Sequence, residues 1–129
     1  MTIAPQAGIA GDVVGYGAVL NGVAPAKGER MSIDDITREL VKEMEQNETL
    51  QPVGEARPIT VAGTEGRSVT LQSVSPFAAA NGQHQKERDW LVTVPQHDGS
   101  VIFMVFVAPA SDFDRFQPTY DAMLKSMRF

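Results

Sequence analysis

The chain has no cysteine and only two histidines, and these shortages exclude much chemistry. Without cysteine there is no disulfide, no thiolate metal ligand and no cysteine nucleophile. The 11 basic residues are outnumbered by 16 acidic ones, and the formal net charge of -5 disfavours nucleic-acid binding. Long hydrophobic runs are missing too. The longest, residues 101–108, is far short of the ~20 residues of a membrane-spanning helix, so we expect no membrane insertion.

What remains is the composition of a folded, soluble domain. With 129 residues, 43% of them hydrophobic, the chain suits one self-supporting core. Its first residues show neither the basic nor the apolar segment of a secretory signal. Small apolar residues with scattered glycines make residues 1–11 a flexible arm or edge strand. We therefore expect a single α+β domain over residues 12–129.

The first predicted helix follows a clear capping signal. Ser32 and Asp35 have the spacing of a capping box, and Asp34 and Asp35 lie at the positive end of the helix dipole. The apolar residues that follow have the spacing of one buried helical stripe: Ile33, Ile36, Leu40, Val41 and Met44. The helix is expected to end at 47–49.

A second helix is predicted near the C-terminus. Ser111 and Asp114 repeat the capping pattern, and Pro118 suits the first turn of a new helix. A second amphipathic stripe then follows: Tyr120, Met123, Leu124 and Met127.

Most of the remaining chain predicts antiparallel strands. A strand over 12–20 should end in a turn at Asn21–Gly22, and 23–31 is expected to be a loop. Residues 57–62 and 67–74 should form a hairpin with its connection at 63–66, followed by a loop over 75–82.

Polarity alternates along the segment 67–74. Val69 and Leu71 should face the core while Ser68, Thr70 and Gln72 face a wetter side.

The strongest strand signal lies in the last hairpin. Residues 85–94 and 100–108 are joined through Asp98–Gly99, a favoured hairpin dipeptide. Because 101–108 is apolar throughout, it should be a central strand covered on both faces. Together these elements predict an antiparallel sheet of about five to six strands with two main helices.

No motif for metal-dependent hydrolysis is present. Neither His84 nor His97 begins a His-Glu-x-x-His sequence. A looser site could draw on both histidines with Glu87, Asp89 and Asp98, but the histidines stand near opposite ends of one predicted strand. The two histidines are 13 residues apart. At ~3.3 Å per residue of extended strand, that distance is too long for both to bind one metal ion. We predict no metal site.

Nucleophilic and nucleotide chemistry also lack their signatures. No serine lies in a Gly-x-Ser-x-Gly sequence, and the glycines of 8–17 match neither phosphate-binding fingerprint. The paired acids Asp34–Asp35 and Asp112 with Asp114 occur at predicted helix starts, where capping explains them. The sequence therefore predicts no catalytic residue and no cofactor.

Two groups of residues could serve binding. Four cations could gather on one face of the sheet: Arg57, Arg67, Lys86 and Arg88. Trp90 and Phe77 are the aromatic residues best placed to act at a surface, although core packing also explains Trp90.

The order of elements resembles the PsbP/Mog-like α/β sandwiches. The sequence over residues 12–129 is similar to a domain that follows the catalytic domain in some bacterial zinc-dependent peptidases. The similar segments are Tyr-Gly-Ala-Val-Leu-Asn-Gly at 16–22, Val-Ala-Gly-x-x-Gly at 61–66, Val-Phe-Val-Ala-Pro at 105–109 and Phe-Gln-Pro-Thr-Tyr-x-x-Met-Leu-x-Ser-Met-Arg-Phe at 116–129. The resemblance implies an accessory domain, found mainly in extracytoplasmic proteins, and carries over no catalytic residue.

These observations lead to three hypotheses. The first is a non-catalytic accessory or protein-interaction domain, whose partner could be a protein or a fused peptidase domain. The alternative is a small-ligand-binding domain with a pocket between sheet and helix, suggested by Tyr16, Trp90 and six methionines. The third is a small enzyme with an unfamiliar site, which would need a buried carboxylate or histidine of perturbed pKa in a cleft.

Overall fold

A computed structural model describes residues 1–10, 13–24, 32–47, 50–78 and 82–128. The chain forms an α+β domain built on an antiparallel seven-stranded sheet, with a separate pair of short strands near the N-terminus. The strand bounds in the sheet are β1 (Thr2–Ile3), β4 (Gly17–Val23), β5 (Gln51–Pro52), β6 (Arg57–Val61), β7 (Thr64–Ala78), β8 (His84–Pro95) and β9 (Val101–Pro109). The predicted α+β class and antiparallel sheet are confirmed.

The sheet is a meander extended at one edge. Strands β6 to β9 pair in chain order, β4 lies beyond β9, and β1 occupies the outer edge. At the opposite edge β5 and β6 both pair with β7, because β7 is long enough to hold the two strands end to end. Strand β9 lies between β4 and β8, as its continuous apolar sequence predicts.

Helix α1 (Ile33–Asn47) begins where the capping signal places it. The Ser32 hydroxyl accepts a 3.1 Å hydrogen bond from the main-chain N–H of Asp35, which satisfies one of the free donors at the helix start. Leu40, Val41 and Met44 pack on a core cluster of Leu50, Val69, Leu71 and Leu91. Glu48 and Thr49, at the predicted end, lie outside the described residues.

Helix α2 (Phe113–Ser126) packs on the other face of the sheet. It starts after Asp112, whose side chain makes no capping hydrogen bond, so the predicted cap at Ser111 is wrong. Pro118 lies inside this helix rather than in the first turn of a new one. Phe113, Tyr120 and Leu124 join the core here, and this burial outweighs the missing N–H of the proline.

The two helices divide the core between the sheet's faces. Neighbouring residues of a strand point to opposite faces, so Leu91 packs with the α1 cluster and Val92 with the α2 cluster. The same alternation separates Val105 from Phe106 on β9. Ser68, Thr70 and Gln72 are therefore on the α2 side, which confirms the predicted wetter face of β7.

The N-terminal region differs from the expectation in detail. Strand β1 pairs with β4, so part of the arm 1–11 is an edge strand. Strands β2 (Ile9–Ala10) and β3 (Val13–Val14) pair with each other, after a short 3₁₀ turn at Gln6–Gly8. The predicted turn at Asn21–Gly22 is wrong, because both residues pair with β9 within β4. The ladder to β9 holds them extended despite their turn propensity.

Strand β7 is longer than expected at both ends. It begins at Thr64, because the tight connection uses Ala62 and Gly63, both with positive φ, rather than all of 63–66. It also continues to Ala78, through the first half of the predicted loop 75–82, with an irregularity between Val74 and Ala78. Of the predicted loop 23–31, Val23 instead ends β4, and residues 25–31 lie outside the described residues.

Candidate functional site

A groove of about 500 Å³ lies on the α2 side of the sheet. Helix α2 packs mainly on β9 and leaves the part of that face at β7 open. One wall is the start of α2, with Phe113 and Gln117, and the other is the connection 53–55 between β5 and β6. A volume of this size is typical of a small-molecule site.

The floor of the groove is polar. It is formed by Ser68, Thr70 and Gln72 of β7, next to Trp90 of β8. Thr70 and Trp90 are directly opposite each other across the two strands. Within the described part of the chain, the side chains of these four residues make no hydrogen bond, so their polar groups are available to a bound molecule.

Trp90 contacts both the core and the groove. It is half-buried, and its ring packs against Phe106 with centroids 5.2 Å apart. The ring also borders the groove, so it offers an apolar surface beside the hydroxyl groups of the floor. Both predictions for Trp90, core packing and a surface position, therefore apply.

Three of the four predicted cations reach this groove. Arg57, Lys86 and Arg88 line it from β6 and β8. The guanidinium of Arg88 lies 5.4 Å from the ring centroid of Phe113, which orients it, and 3.7 Å from the carboxylate of Asp114. Cross-strand pairing places Arg57 opposite Ser68, so both side chains face the same side of the sheet.

Arg67 does not join them. Its position on β7 alternates with Ser68, and its side chain lies toward α1. There it donates hydrogen bonds to Asp34 at 2.7 Å and to Glu65 at 2.9 Å, and the bond to Asp34 is the main cause that raises the pKa of Arg67. The prediction that all four cations share one face is wrong for Arg67, which instead fastens the start of α1 to the sheet.

Among the described residues, the aromatic candidate Tyr16 and the methionines lie elsewhere. Tyr16 stacks on Phe116 of α2, with centroids 5.2 Å apart, and belongs to the core. The side chain of Phe77 lies outside the described residues. No methionine of the described chain lines the groove; Met104, for example, is fully buried under α2.

The histidines lie at opposite ends of the last hairpin's first strand. His84 begins β8 and is exposed, and one ring nitrogen is 3.2 Å from the main-chain oxygen of Ser75. His97 is exposed in the hairpin turn. Asp98 accepts hydrogen bonds from Ser100, which lower the pKa of its carboxyl group. In the described segments, no three His, Asp or Glu side chains group as metal ligands would.

Glu87 and Asp89 are buried on the opposite face from the groove floor. They alternate with Lys86, Arg88 and Trp90 along β8, and their exposed fractions are 8% and 3%. Asp89 contributes to the raised pKa of Tyr120, after burial, which is the larger cause. Their sequence positions indicated only possible metal ligands and gave no sign of this burial.

No sequence pattern predicted the groove wall at 53–55. Strand β5 has two residues, and its pairing with Leu71 and Gln72 is non-local. The main-chain N–H of Val53 extends this pairing with a 2.7 Å hydrogen bond to the oxygen of Thr70. The only local signal was the glycine at 54, whose positive φ turns the chain back toward β6.

Comparisons with known proteins show the fold alone. No protein-family model matches the chain, and no curated protein matches its sequence. The chain is similar in structure to a protein of unknown function from Pseudomonas aeruginosa, PA94, a suggested regulator. The TM-score is 0.53 at 11% identity, over 100% of this chain and 96% of that one.

None of the described helices is both long and apolar enough to cross a membrane.

Proposed function

We propose that this chain is a non-catalytic binding domain that holds a small ligand in the groove between β7 and α2. The observation that carries the proposal is a polar floor recessed between two walls, with side-chain hydrogen-bonding groups that no described residue uses. Ligand sites combine such a concave shape with a few polar groups and an apolar surface, here supplied by Trp90.

The polarity of the floor supports a ligand rather than a purely structural role. Burying these hydroxyl and amide groups under a helix would cost free energy, because each would need a new partner. The groove instead keeps them open at the base of a cleft. Neither histidine lines it, Glu55 is exposed in its wall, and strand alternation directs the side chain of Glu87 to the opposite face, so the residues present favour binding over acid–base catalysis.

The accessory-domain hypothesis is compatible with this proposal. A domain that binds a small ligand can serve a larger protein, including a peptidase, and the PsbP/Mog-like resemblance remains the basis for that role. The groove adds a specific place where binding can be measured.

The test uses Trp90, the one tryptophan of the sequence, as a reporter inside the site. Thermal denaturation with metals, lipids and metabolites would identify stabilising compounds. Each should also change the emission of Trp90. The variant Thr70→Phe fills the groove next to Trp90 and should abolish both effects.

Thr60→Phe is the matched control. Thr60 is exposed on β6 and does not line the groove, so its variant should bind like the wild type. Equal binding by wild type and Thr70→Phe would contradict the proposal, as would the absence of any stabilising compound.

A further inference from the structure

The groups that face the groove are mostly hydrogen-bond donors. Arg57, Lys86 and Arg88 donate and cannot accept, and the indole N–H of Trp90 is also a donor. The hydroxyl groups of Ser68 and Thr70 can donate as well. A site with so many donors is matched best by a ligand rich in acceptor oxygens.

The positive charges in the groove are largely unneutralised. Within the described chain, no carboxylate lies within ion-pair distance of Arg57 or Lys86, and Arg88 has one distant partner, the exposed Asp114. Arg67 shows the contrast, because it has two carboxylates at 2.7 and 2.9 Å. The three groove cations are therefore available, although the whole chain carries a net charge of -5.

Two acids also border the groove, and within the described chain neither forms an ion pair with one of the three cations. Glu55 lies in the wall and is exposed to water. Glu87 contributes to the lining from β8, but the alternation of the strand directs its side chain to the opposite face.

The groove also has an apolar part. The ring of Trp90 borders the floor, and Phe113 contributes to the wall beneath the guanidinium of Arg88. A flat or hydrocarbon group could pack against Trp90 while oxygens of the same molecule bind the cations. The guanidinium of Arg88 suits planar oxyanions, because it can donate two parallel hydrogen bonds.

We infer that the ligand of this groove is a small organic anion, a carboxylate or phosphate ester, whose apolar part packs on Trp90. The oxyanion is bound by Lys86 and Arg88, which lie two residues apart on the same face of β8. This inference rests on the proposed function and specifies the class of its ligand.

Four probes with one aromatic ring each test the inference by isothermal titration calorimetry. Benzoate and phenyl phosphate carry the two candidate anions, benzyl alcohol is neutral, and benzylamine is a cation. We expect the wild type to bind at least one anion about tenfold or more tightly than the neutral probe, with binding that weakens as salt increases. The two anions distinguish a carboxylate site from a phosphate site.

Charge-removing variants assign the binding to the groove. Lys86→Gln and Arg88→Gln should each weaken binding of the anion about tenfold, because each removes a charged hydrogen-bond donor. Lys42→Gln is the control: Lys42 is exposed on α1, on the other side of the sheet, and its removal lowers the charge equally. It should leave the affinity nearly unchanged.

The outcomes separate this inference from the proposed function. If benzyl alcohol or benzylamine binds as tightly as the anions, and Thr70→Phe abolishes that binding, the groove is a ligand site but the anion class is wrong. Equal losses from Lys86→Gln and Lys42→Gln also overturn the inference, because they indicate an effect of overall charge. If neither these probes nor the wider screen yields a ligand, both proposals fail.

Discussion

The hydroxyl of Tyr120 donates a 2.6 Å hydrogen bond to the main-chain oxygen of Val107. This bond joins the middle of α2 to the central strand β9. Beside it the ring of Tyr120 packs against Phe106, with centroids 4.9 Å apart. Because α2 forms one wall of the groove, this contact also helps to set the groove's width.

Replacing Tyr120 by phenylalanine should destabilise the domain. The ring would remain in the core, but a buried carbonyl oxygen would lose its side-chain donor, which costs about 1–3 kcal/mol. Chemical denaturation monitored by circular dichroism would show a lower midpoint with an unchanged m-value. An unchanged midpoint would mean that the bond contributes nothing to the free energy of unfolding.

Stability should fall at high pH because of the same residue. Burial, with a further contribution from Asp89, raises the pKa of Tyr120 to about 12. In the unfolded chain its pKa is about 10, so the folded state holds the proton more tightly. The resulting stabilisation is complete below pH ~10 and is lost as the pH rises toward 12, by about 2–3 kcal/mol.

The variant Tyr120→Phe isolates this effect. The two proteins differ only at residue 120, so the difference in unfolding free energy between them reports Tyr120. Denaturation between pH 9 and 12 should show that the advantage of the wild type shrinks at alkaline pH. A constant difference would contradict the raised pKa.

The buried hydroxyl groups of Thr37 and Thr93 should be energetically coupled. They lie 2.7 Å apart and connect α1 to β8, and both residues are at most 2% exposed. Thr37→Val or Thr93→Val alone leaves one hydroxyl without this partner, at a cost of about 1–2 kcal/mol. The double variant should cost less than the sum, by roughly 0.5 kcal/mol or more, because both polar groups are gone.

A double-mutant cycle from denaturation midpoints measures this coupling. Thr60→Val, at an exposed position on β6, is the control and should change stability by less than about 0.5 kcal/mol. Strict additivity of the two buried replacements would show that the hydroxyl groups do not interact.

Gly66 should not tolerate alanine. A Cβ at this position would overlap the main-chain oxygen of Thr93, and backbone atoms cannot easily move aside. We expect Gly66→Ala to destabilise the domain by about 3 kcal/mol or more.

Gly22→Ala provides the comparison for Gly66. Gly22 lies in β4, and the atom nearest to a Cβ added there is 3.9 Å away, so there is room for the methyl group. Its thermal midpoint should stay near that of the wild type. Equal midpoints for the two alanine variants would contradict the predicted overlap.

The sequence predicted best those elements whose signals are local. The capping pair Ser32 and Asp35 and the following apolar stripe predict α1, and Asp98–Gly99 predicts the β8–β9 hairpin. Asn21–Gly22 has an equally local turn signal, yet pairing with β9 keeps it extended. Pro118 likewise stays within α2 because burial of the neighbouring side chains outweighs its local preference.

The groove also combines features that local sequence patterns predict with features that depend on distant contacts. The alternation that puts Ser68, Thr70 and Gln72 on a wet face is local, and it was predicted. Which cations join them was only partly predicted, because Arg67 alternates to the α1 side and binds Asp34 instead. The wall at 53–55 depends on pairing between β5 and β7, which no local pattern indicates.

The sequence by itself therefore determined the α+β class, the apolar stripes of both helices and the buried central strand, because hydrophobic periodicity and turn chemistry act over a few residues. The tertiary structure decided that α2 leaves β7 uncovered, that the 53–55 connection closes the other side, and that Arg57, Lys86 and Arg88 face the same cleft. These relations depend on contacts between residues far apart in the chain, where packing of the whole sheet selects the arrangement.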